Sequence, residues 1–428
     1  MTDVTRRIFL GSMGASGAAL TLSGRASLAA DRELPAPTGT PATMARDESH
    51  WGAVANAYRV TDQIVNLEGG YFQPMALPVL AEFHRQIDRV NRENSLYARG
   101  AYPTDLEAAR RRAADALGAG VEEIAFTRGA TEALQCLIGG YNRLKPNDAV
   151  MFADLDYPAM QNAMKWLADR RQVRVKRIDI PEPATPANVL DAYVSALNSN
   201  RDVRLLLLTH VSHKTGLVLP VAEIVAEARR RDVDVILDAA HAWGQIDFDL
   251  HALGADFVGF NLHKWIGAPV GAGLLYIRKE RLANIDRMMS DEESPPDSIL
   301  SRVHSGTSHF ATFLTVPSAL DFHFAVGPRY KAARLKYLRD LWVNEARATT
   351  SIDVLAPDDM SAAITSFRIR GRTGSAETQR LVIQLRDVHG ILTVSRTGVA
   401  GGDCIRVTPA LYNTSEDVTS FAKALKRL

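Results

Sequence analysis

Short apolar runs alternate with longer helical stretches from residue 124 onward, and this alternation constrains the fold more than any other feature. Strand-length runs separated by helix-length segments are typical of a mostly parallel sheet that helices cover on both faces. We therefore predict an α/β fold for this part of the chain. The predicted strands are residues 124–127, 149–153, 173–178, 204–209, 233–237, 257–260 and 273–277.

Two of these predicted strands end beside side chains of opposite charge. The run 233–237 is followed by Asp238, and the run 257–260 is followed by His263 and Lys264. Adjacent strands lie about 5 Å apart, and ligand sites in such sheets gather at strand ends, so both groups could face one cleft. Pyridoxal phosphate requires a lysine that forms a Schiff base with its aldehyde and a carboxylate that pairs with its pyridine nitrogen. We predict Lys264 and Asp238 as this catalytic pair.

A glycine turn follows the first predicted strand and opens a helix. It reads Thr127-Arg-Gly129-Ala130-Thr131. Free backbone N–H groups and the positive end of the helix dipole converge at such a turn, which suits a phosphate group. We predict that Ala130 and Thr131 bind the cofactor phosphate, with an ordinary helix cap as the alternative interpretation.

In this order the motifs resemble the class V aminotransferase family of fold-type I pyridoxal phosphate enzymes, and within it the isopenicillin N epimerase-like branch. The resemblance runs from about residue 66 to the C-terminus. It implies a large cofactor-binding domain at 70–315 and a smaller α+β domain built from 49–69 with 316–428. Its further marks are Asn66-Leu-Glu-Gly-Gly-Tyr71, Asp154-Leu-Asp-Tyr157-Pro, Thr209-His-Val-Ser212-His213-Lys-Thr-Gly216 and Ile405-Arg406-Val-Thr-Pro-Ala-Leu-Tyr412-Asn413-Thr414.

The resemblance implies several cofactor contacts. Tyr157 stands where the family places an aromatic or histidine side chain that stacks on the pyridine ring. His241 matches a position that hydrogen-bonds the phenolic oxygen and so tunes the basicity of the Schiff base. Asn261 and His263 match phosphate ligands that flank the lysine.

The resemblance implies two further cofactor contacts, one from the neighbouring subunit and one from the turn before Gly216. Ser305-Gly306-Thr307 resembles a segment that reaches the phosphate from the neighbouring subunit, so Thr307 is a candidate ligand and a homodimer is expected. Where many members have an asparagine before the turn at Gly216, this chain has Ser212 and His213. We take His213 as the candidate contact and leave the choice between the two open.

Arg406 resembles the family arginine that clamps the substrate α-carboxylate with two parallel hydrogen bonds, a geometry that lysine cannot reproduce. Its neighbours Cys404, Ile405 and Val407 are apolar, so a strand is expected there. Tyr71 is a second candidate for substrate binding. Arg128, beside the phosphate turn, is the next candidate for the clamp.

The chain departs from the desulfurase branch of the family. That branch carries a mobile loop with a nucleophilic cysteine shortly before the arginine strand, and here residues 395–402 contain no cysteine. Cys404 and Cys136 fall in predicted strand and helix positions where packing is expected rather than reactivity. A metal site from His210 and His213 is not expected, because their spacing on a strand-to-turn segment does not converge the imidazoles.

The N-terminus has the layout of a twin-arginine signal peptide at residues 1–30. Arg6 and Arg7 precede a mild, glycine-rich apolar stretch, and small residues place a cleavage site near Ala29 or Ala30. The stretch is too short and glycine-rich for a stable membrane span, with retention as an anchor as the alternative. Because the twin-arginine export machinery carries folded proteins and the cofactor is enclosed in the cytoplasm, we expect a periplasmic protein. A linker is predicted at 31–48.

The net charge argues against a nucleic-acid partner, and the motifs leave three classes of function open. The formal net charge of +1 gives no basic excess, so no nucleic-acid partner is expected. The leading prediction is a periplasmic aminotransferase acting on an amino acid or on an amino-acid residue of a larger metabolite, such as a siderophore side chain. An epimerase, racemase or lyase is the second class. A non-catalytic binding protein on the same fold is the third, and Lys264 argues against it.

Overall fold

The computed structural model describes residues 34–349 and 351–428. The predicted signal peptide lies outside the described residues, so export stays a prediction. The strands are β1 (Val65–Asn66), β2 (Ile124–Thr127), β3 (Ala149–Ala153), β4 (Arg174–Ile178), β5 (Val203–Thr209), β6 (Asp234–Asp238), β7 (Phe257–Asn261), β8 (Gly273–Ile277), β9 (Ile352–Val354), β10 (Thr365–Ile369), β11 (Ile391–Leu392), β12 (Val394–Arg396) and β13 (Cys404–Val407).

Helices connect and cover these strands. They are α1 (Pro41–Met44), α2 (Glu48–Ala55), α3 (Leu77–Arg99), α4 (Tyr102–Leu117), α5 (Ala130–Gly140), α6 (Pro158–Arg171), α7 (Pro186–Ser199), α8 (Val221–Arg229), α9 (Leu250–Leu253), α10 (Phe310–Leu314), α11 (Val316–Val326), α12 (Pro328–Arg347), α13 (Ser375–His389) and α14 (Ser415–Leu425). Within the described ranges, no single helix is long and apolar enough to cross a membrane, although one pair bent by 73°, Phe310–Val326 with Pro328–Arg347, has the combined length and composition.

A seven-stranded sheet in the order β2-β8-β7-β6-β5-β3-β4 forms the centre of the fold. The strands from β7 to β4 pair in parallel, and β8 runs antiparallel to both β7 and β2. All residues of β2, β3, β7 and β8 are buried, because helices cover both faces. The predicted α/β fold with a mostly parallel sheet is confirmed, and each predicted strand end lies within one residue of the observed one.

A second sheet belongs to the C-terminal part of the chain. It is antiparallel, four-stranded and ordered β12-β13-β10-β9. Its core joins Trp342 of α12 to Phe367 of β10 and Phe421 of α14, with the Trp342 and Phe421 rings 5.4 Å apart. The short strand β1 pairs in parallel with β11, which attaches residues before 70 to this part of the chain. The predicted domain boundaries stay a prediction.

The described part of the segment predicted as a linker at 31–48 includes the short helix α1. Helix α1 begins after Thr40, which caps it, and Pro41 occupies its first position, where a missing N–H costs nothing. Met44 is buried, and its carbonyl accepts a hydrogen bond of 2.6 Å from the indole of Trp51. A single capped turn has too few residues to show periodicity in the sequence.

A glycine turn brings the two sheets together. Gly216 lies in the turn after β5 at φ +79° and donates its N–H to the Ser212 carbonyl at 2.9 Å. A Cβ atom at this position would lie 1.9 Å from the carbonyl oxygen of Ile364, just before β10. Both the backbone conformation and the close approach therefore require glycine here.

We expect Gly216→Ala to lower the free energy of unfolding by about 3 kcal/mol or more, since a positive φ costs about 1–2 kcal/mol and steric overlap adds a similar amount. Gly371→Ala is a matched control, because Gly371 has φ +77° and open space around its Cα. It should cost only the conformational part. Urea unfolding of both variants measures the difference, and equal losses would show that the approach to Ile364 is unimportant.

Candidate functional site

A cavity of about 590 Å³ opens beyond the carboxyl ends of β5, β6 and β7 and the first turn of α5. Sites in parallel sheets form at this edge, because loops there leave a crevice between strand ends and helix starts. The cavity brings together eleven of the residues predicted from the sequence. They are Tyr71, Ala130, Thr131, Tyr157, His213, Asp238, His241, Asn261, His263, Lys264 and Arg406.

Lys264 lies half-buried in this cavity, and its Nζ is 2.9 Å from Nε2 of His241. Burial, and next the positive charge of Arg406, lower the pKa of Lys264 to about 7. A substantial fraction of this lysine is therefore the neutral amine near neutral pH, which is the form that attacks an aldehyde.

Asp238 ends β6 and is 5% exposed. Its Oδ1 accepts the N–H of Ala240 at 3.0 Å, and among the described residues no group donates to its second oxygen. Burial raises the pKa of Asp238, and Lys264 acts in the opposite direction. A buried carboxylate with a free oxygen suits a protonated ring nitrogen, because a cation would relieve the cost of burying its charge.

His241 is held as a neutral imidazole. Burial, followed by the charge of Lys264, keeps its pKa well below the usual range. Its Nδ1 accepts the indole N–H of Trp265 at 3.4 Å, which leaves the proton on Nε2, the atom beside Lys264. Trp265 was not predicted as a site residue, and its position directly after Lys264 is the only sequence signal for it.

The turn before α5 is tied to the end of β7. Asn261 Oδ1 accepts the N–H of Ala130 at 2.8 Å, so two predicted phosphate ligands contact each other in this structure. A Cβ at Gly273 would lie 2.4 Å from the Cα of Gly129, so residue 273 must be glycine for the two backbones to approach. His263 donates from Nδ1 to the Ala272 carbonyl at 2.9 Å, which leaves Nε2 free of that bond.

Tyr157 and His213 form one wall of the cavity. Their rings meet edge to face with centroids 5.1 Å apart, and Tyr157 is 41% exposed. Burial, and then the charge of Arg406, keep the pKa of His213 well below the usual range. Ser212 is turned into its own loop, where its Oγ accepts the N–H groups of Lys214 and Thr215. Of the two residues left open by the sequence, His213 is therefore the one that lines the cavity.

Arg406 lies fully buried on β13. Its guanidinium group, predicted to bind the substrate carboxylate, is hydrogen-bonded to Glu68, which was not predicted as a site residue. Nε and Nη2 donate to the two carboxylate oxygens of Glu68 at 3.3 and 2.5 Å, and Nη1 donates to the His213 carbonyl at 2.9 Å. Arg396 of β12 also donates to Glu68, at 3.2 Å, and lines the cavity. Glu68 falls within the motif Asn66–Tyr71, which was the available signal.

Other candidates lie at the edge of the site. Tyr71 is 71% exposed at the cavity mouth. Arg128 is exposed, and its Nη2 is 2.6 Å from Oε1 of Glu132. Thr307 is exposed and does not line the cavity of this chain within the described residues, so its role across a homodimer stays a prediction.

The loop 395–402 is fastened to the large sheet. Lys214 Nζ donates to the Gly398 carbonyl at 3.1 Å, and the Ala400 N–H donates to Asp154 at 3.0 Å. Arg368 binds both Glu182 and the Gly402 carbonyl. These contacts hold the loop from both sides.

The two thiols are packed, as predicted. Cys404 and Cys136 are both buried, and burial raises the pKa of Cys404 to about 11 and that of Cys136 to about 12. Neither is a ready thiolate.

Comparison with known proteins gives one consistent family. The model of the family described as Aminotransferase class-V matches residues 77–421. Isopenicillin N epimerase from Amycolatopsis lactamdurans is 27% identical over 88% of this chain and 98% of its own, and the Streptomyces clavuligerus enzyme is 28% identical over 76% and 85%. A probable cysteine desulfurase from Methanothermobacter thermautotrophicus is 25% identical over 85% and 94%.

Solved structures agree in fold. The cysteine desulfurase CsdA from Escherichia coli superposes with a TM-score of 0.75 at 20% identity, covering 88% of this chain and 98% of that one. A C-DES variant with glycine covalently linked to the PLP cofactor superposes with a TM-score of 0.74 at 19% identity, covering 85% and 96%.

We expect the rate at which cofactor-stripped protein captures pyridoxal phosphate on Lys264 to rise with pH and to level off above about pH 7, because the neutral amine then predominates. Borohydride trapping followed by peptide mapping measures it. Lys264→Ala should abolish trapping. Lys331→Met is a matched control, since Lys331 is also buried with a pKa of about 7 but lies outside the cavity. Trapping on Lys331 or elsewhere would overturn the assignment.

Proposed function

The chain belongs to the class V aminotransferase family of pyridoxal phosphate-dependent enzymes, and from this we propose that it is a periplasmic aminotransferase for an amino acid or an amino-acid residue of a larger metabolite. One observation carries the proposal. Asp238 ends β6 and Lys264 follows the adjacent parallel strand β7, both line one cavity, and the pKa of the lysine is lowered to about 7. The periplasmic part rests on residues 1–30 alone.

The residues present fit pyridoxal phosphate. Lys264 would hold the aldehyde carbon, and Asp238 would hold the ring nitrogen. The turn at Ala130 and Thr131, with His263, would hold the phosphate at the start of α5, where the helix dipole favours an anion. Tyr157 and His241 would contact the ring and its oxygen. When bound, the cofactor supplies an electron sink that weakens the bonds at the substrate α-carbon.

Lys264, His241 and Asp238 have separate roles in the transfer of one proton. Lys264 Nζ takes the proton from the substrate α-carbon, and its low pKa matches that task near neutral pH. His241, neutral and 2.9 Å away, orients this amine without adding charge. The Asp238 carboxylate keeps its partner nitrogen protonated. Where Lys264 returns the proton decides the reaction, since delivery away from the α-carbon leads to transamination.

Epimerisation is the second candidate function, because the two isopenicillin N epimerases match most of the chain. It requires return of the proton to the opposite face of the α-carbon. Desulfuration is not proposed, since Cys404 is buried with a raised pKa and the loop 395–402 carries no thiol.

Incubation of the purified enzyme with single amino acids separates these reactions, and we expect a keto acid together with an aminated cofactor. Mass spectrometry and chiral chromatography identify the product. Lys264→Ala is the blank. An inverted amino acid without any keto acid would establish the epimerase instead, and a released small fragment of the side chain would establish a lyase.

We expect Arg406→Lys to change KM and Asp238→Asn to change kcat. The lysine keeps the charge but loses the paired geometry, so KM for the substrate should rise by an amount worth about 2 kcal/mol with cofactor binding unchanged. The asparagine should spare KM and lower kcat, because the ring nitrogen would lose its proton. Arg370→Lys, an exposed arginine paired with Asp353, is the control. An unchanged KM in Arg406→Lys would move the carboxylate clamp to another residue, with Arg128 next.

A further inference from the structure

Three charged side chains meet at the substrate end of the cavity. Arg396 and Arg406 lie on the paired strands β12 and β13, two positions apart in register, since Val394 stands opposite Arg406. Oε1 of Glu68 accepts a hydrogen bond from each of them, at 3.2 and 2.5 Å. One carboxylate therefore serves two guanidinium groups.

The two arginines differ in how many of their side-chain nitrogens already donate a hydrogen bond within the protein. Arg406 uses all three of its nitrogens on Glu68 and the His213 carbonyl. Arg396 has Nη2 on Glu68, whereas its buried Nε has no partner among the described residues. Burial, and next the charge of Arg406, lower the pKa of Arg396 to about 10, which is the direction expected for two cations held close together. Arg396 lines the cavity, and its Nη1 makes no hydrogen bond within the described residues, so this nitrogen is the donor left for a ligand.

Glu68 is fixed in place by its backbone. Its N–H donates to Asn66 Oδ1 at 2.9 Å. On either side of it, Leu67 accepts the N–H of Thr408 at 2.7 Å, and Gly69 donates to the Thr408 carbonyl at 3.1 Å. Glu68 is not among the cavity-lining residues in the described part of the chain. It occupies the Nε–Nη2 side of Arg406, and the second N–H on each of Nη1 and Nη2 makes no hydrogen bond within the described residues and is left for a substrate.

The summed charge of Glu68, Arg396 and Arg406 indicates how many substrate carboxylates this end of the site can balance. Two guanidinium groups and one carboxylate leave a net charge of +1. The neighbouring imidazoles of His213 and His241 add nothing, because burial keeps both neutral. An isolated charge in such a place is costly, and one substrate carboxylate would balance it.

We propose that Glu68 selects the charge of the substrate: by cancelling one of the two arginines, it lets Arg396 and Arg406 share a single carboxylate and disfavours a second acidic group there. The inference rests on the proposed function for its substrate class, an amino acid with one free carboxylate at this end. Glu68 is a positioning residue, and Arg396 is a second substrate-binding residue beside Arg406.

Binding of two unreactive probes to the cofactor-loaded enzyme tests this inference. Propionate carries one carboxylate and succinate carries two, and calorimetry gives Kd for each. In the wild type we expect propionate to bind at least as well as succinate. Glu68→Gln should shift the preference toward succinate by about tenfold, the effect of one charge-assisted contact. Glu280→Gln, an exposed glutamate, is the control and should leave the preference unchanged.

Arg396→Gln should weaken propionate binding by about tenfold, because the net charge falls to zero. The double variant Glu68→Gln with Arg396→Gln returns the net charge to +1 and should recover propionate binding. Wild-type propionate binding by Arg396→Gln would overturn the inference even if Glu68→Gln failed to fold. An unchanged preference in folded Glu68→Gln would overturn it as well. Because the experiment measures binding and not turnover, its outcome does not depend on whether the enzyme proves to be an aminotransferase.

Discussion

The amine of Lys264 is buried beside a neutral imidazole rather than against a carboxylate, and the rest of the site depends on that placement. An ammonium group in this position would be poorly solvated, so the folded chain favours the neutral amine. The same burial keeps His213 and His241 neutral. Apart from the Arg128–Glu132 ion pair at its edge, the described site therefore carries its fixed charge at Asp238 and at the group formed by Glu68, Arg396 and Arg406.

This arrangement requires two sheets to meet at one cavity. The large sheet supplies Asp238 and Lys264 at its strand ends, whereas the antiparallel sheet supplies Arg396 and Arg406. Gly216 allows the contact, because any side chain there would collide with the carbonyl of Ile364, directly before β10, the strand that pairs with β13. The proposed reacting end and the proposed recognition end of the site are thus held by separate parts of the fold.

The sequence predicts one of these ends better than the other. The strands are predictable from their apolar runs, and so is the meeting of Asp238, Lys264 and the turn before α5 at one cavity, because polar residues directly follow the strands. Glu68 and Arg396 were missed, since their contacts join residues 328 positions apart and no local pattern reports such a distance. The choice of His213 over Ser212 was equally hidden, because it depends on which way each side chain of one turn faces. The helix α1 was missed for lack of length.

The fastening of the loop 395–402 has a consequence for the evolution of the fold. Lys214, Asp154 and Arg368 hold this loop at three points. A cysteine placed there by mutation would gain a thiol but no freedom to travel between the cavity and a sulfur acceptor. Gain of a mobile thiol in this loop would therefore need the loss of these anchors as well, and so several substitutions rather than one.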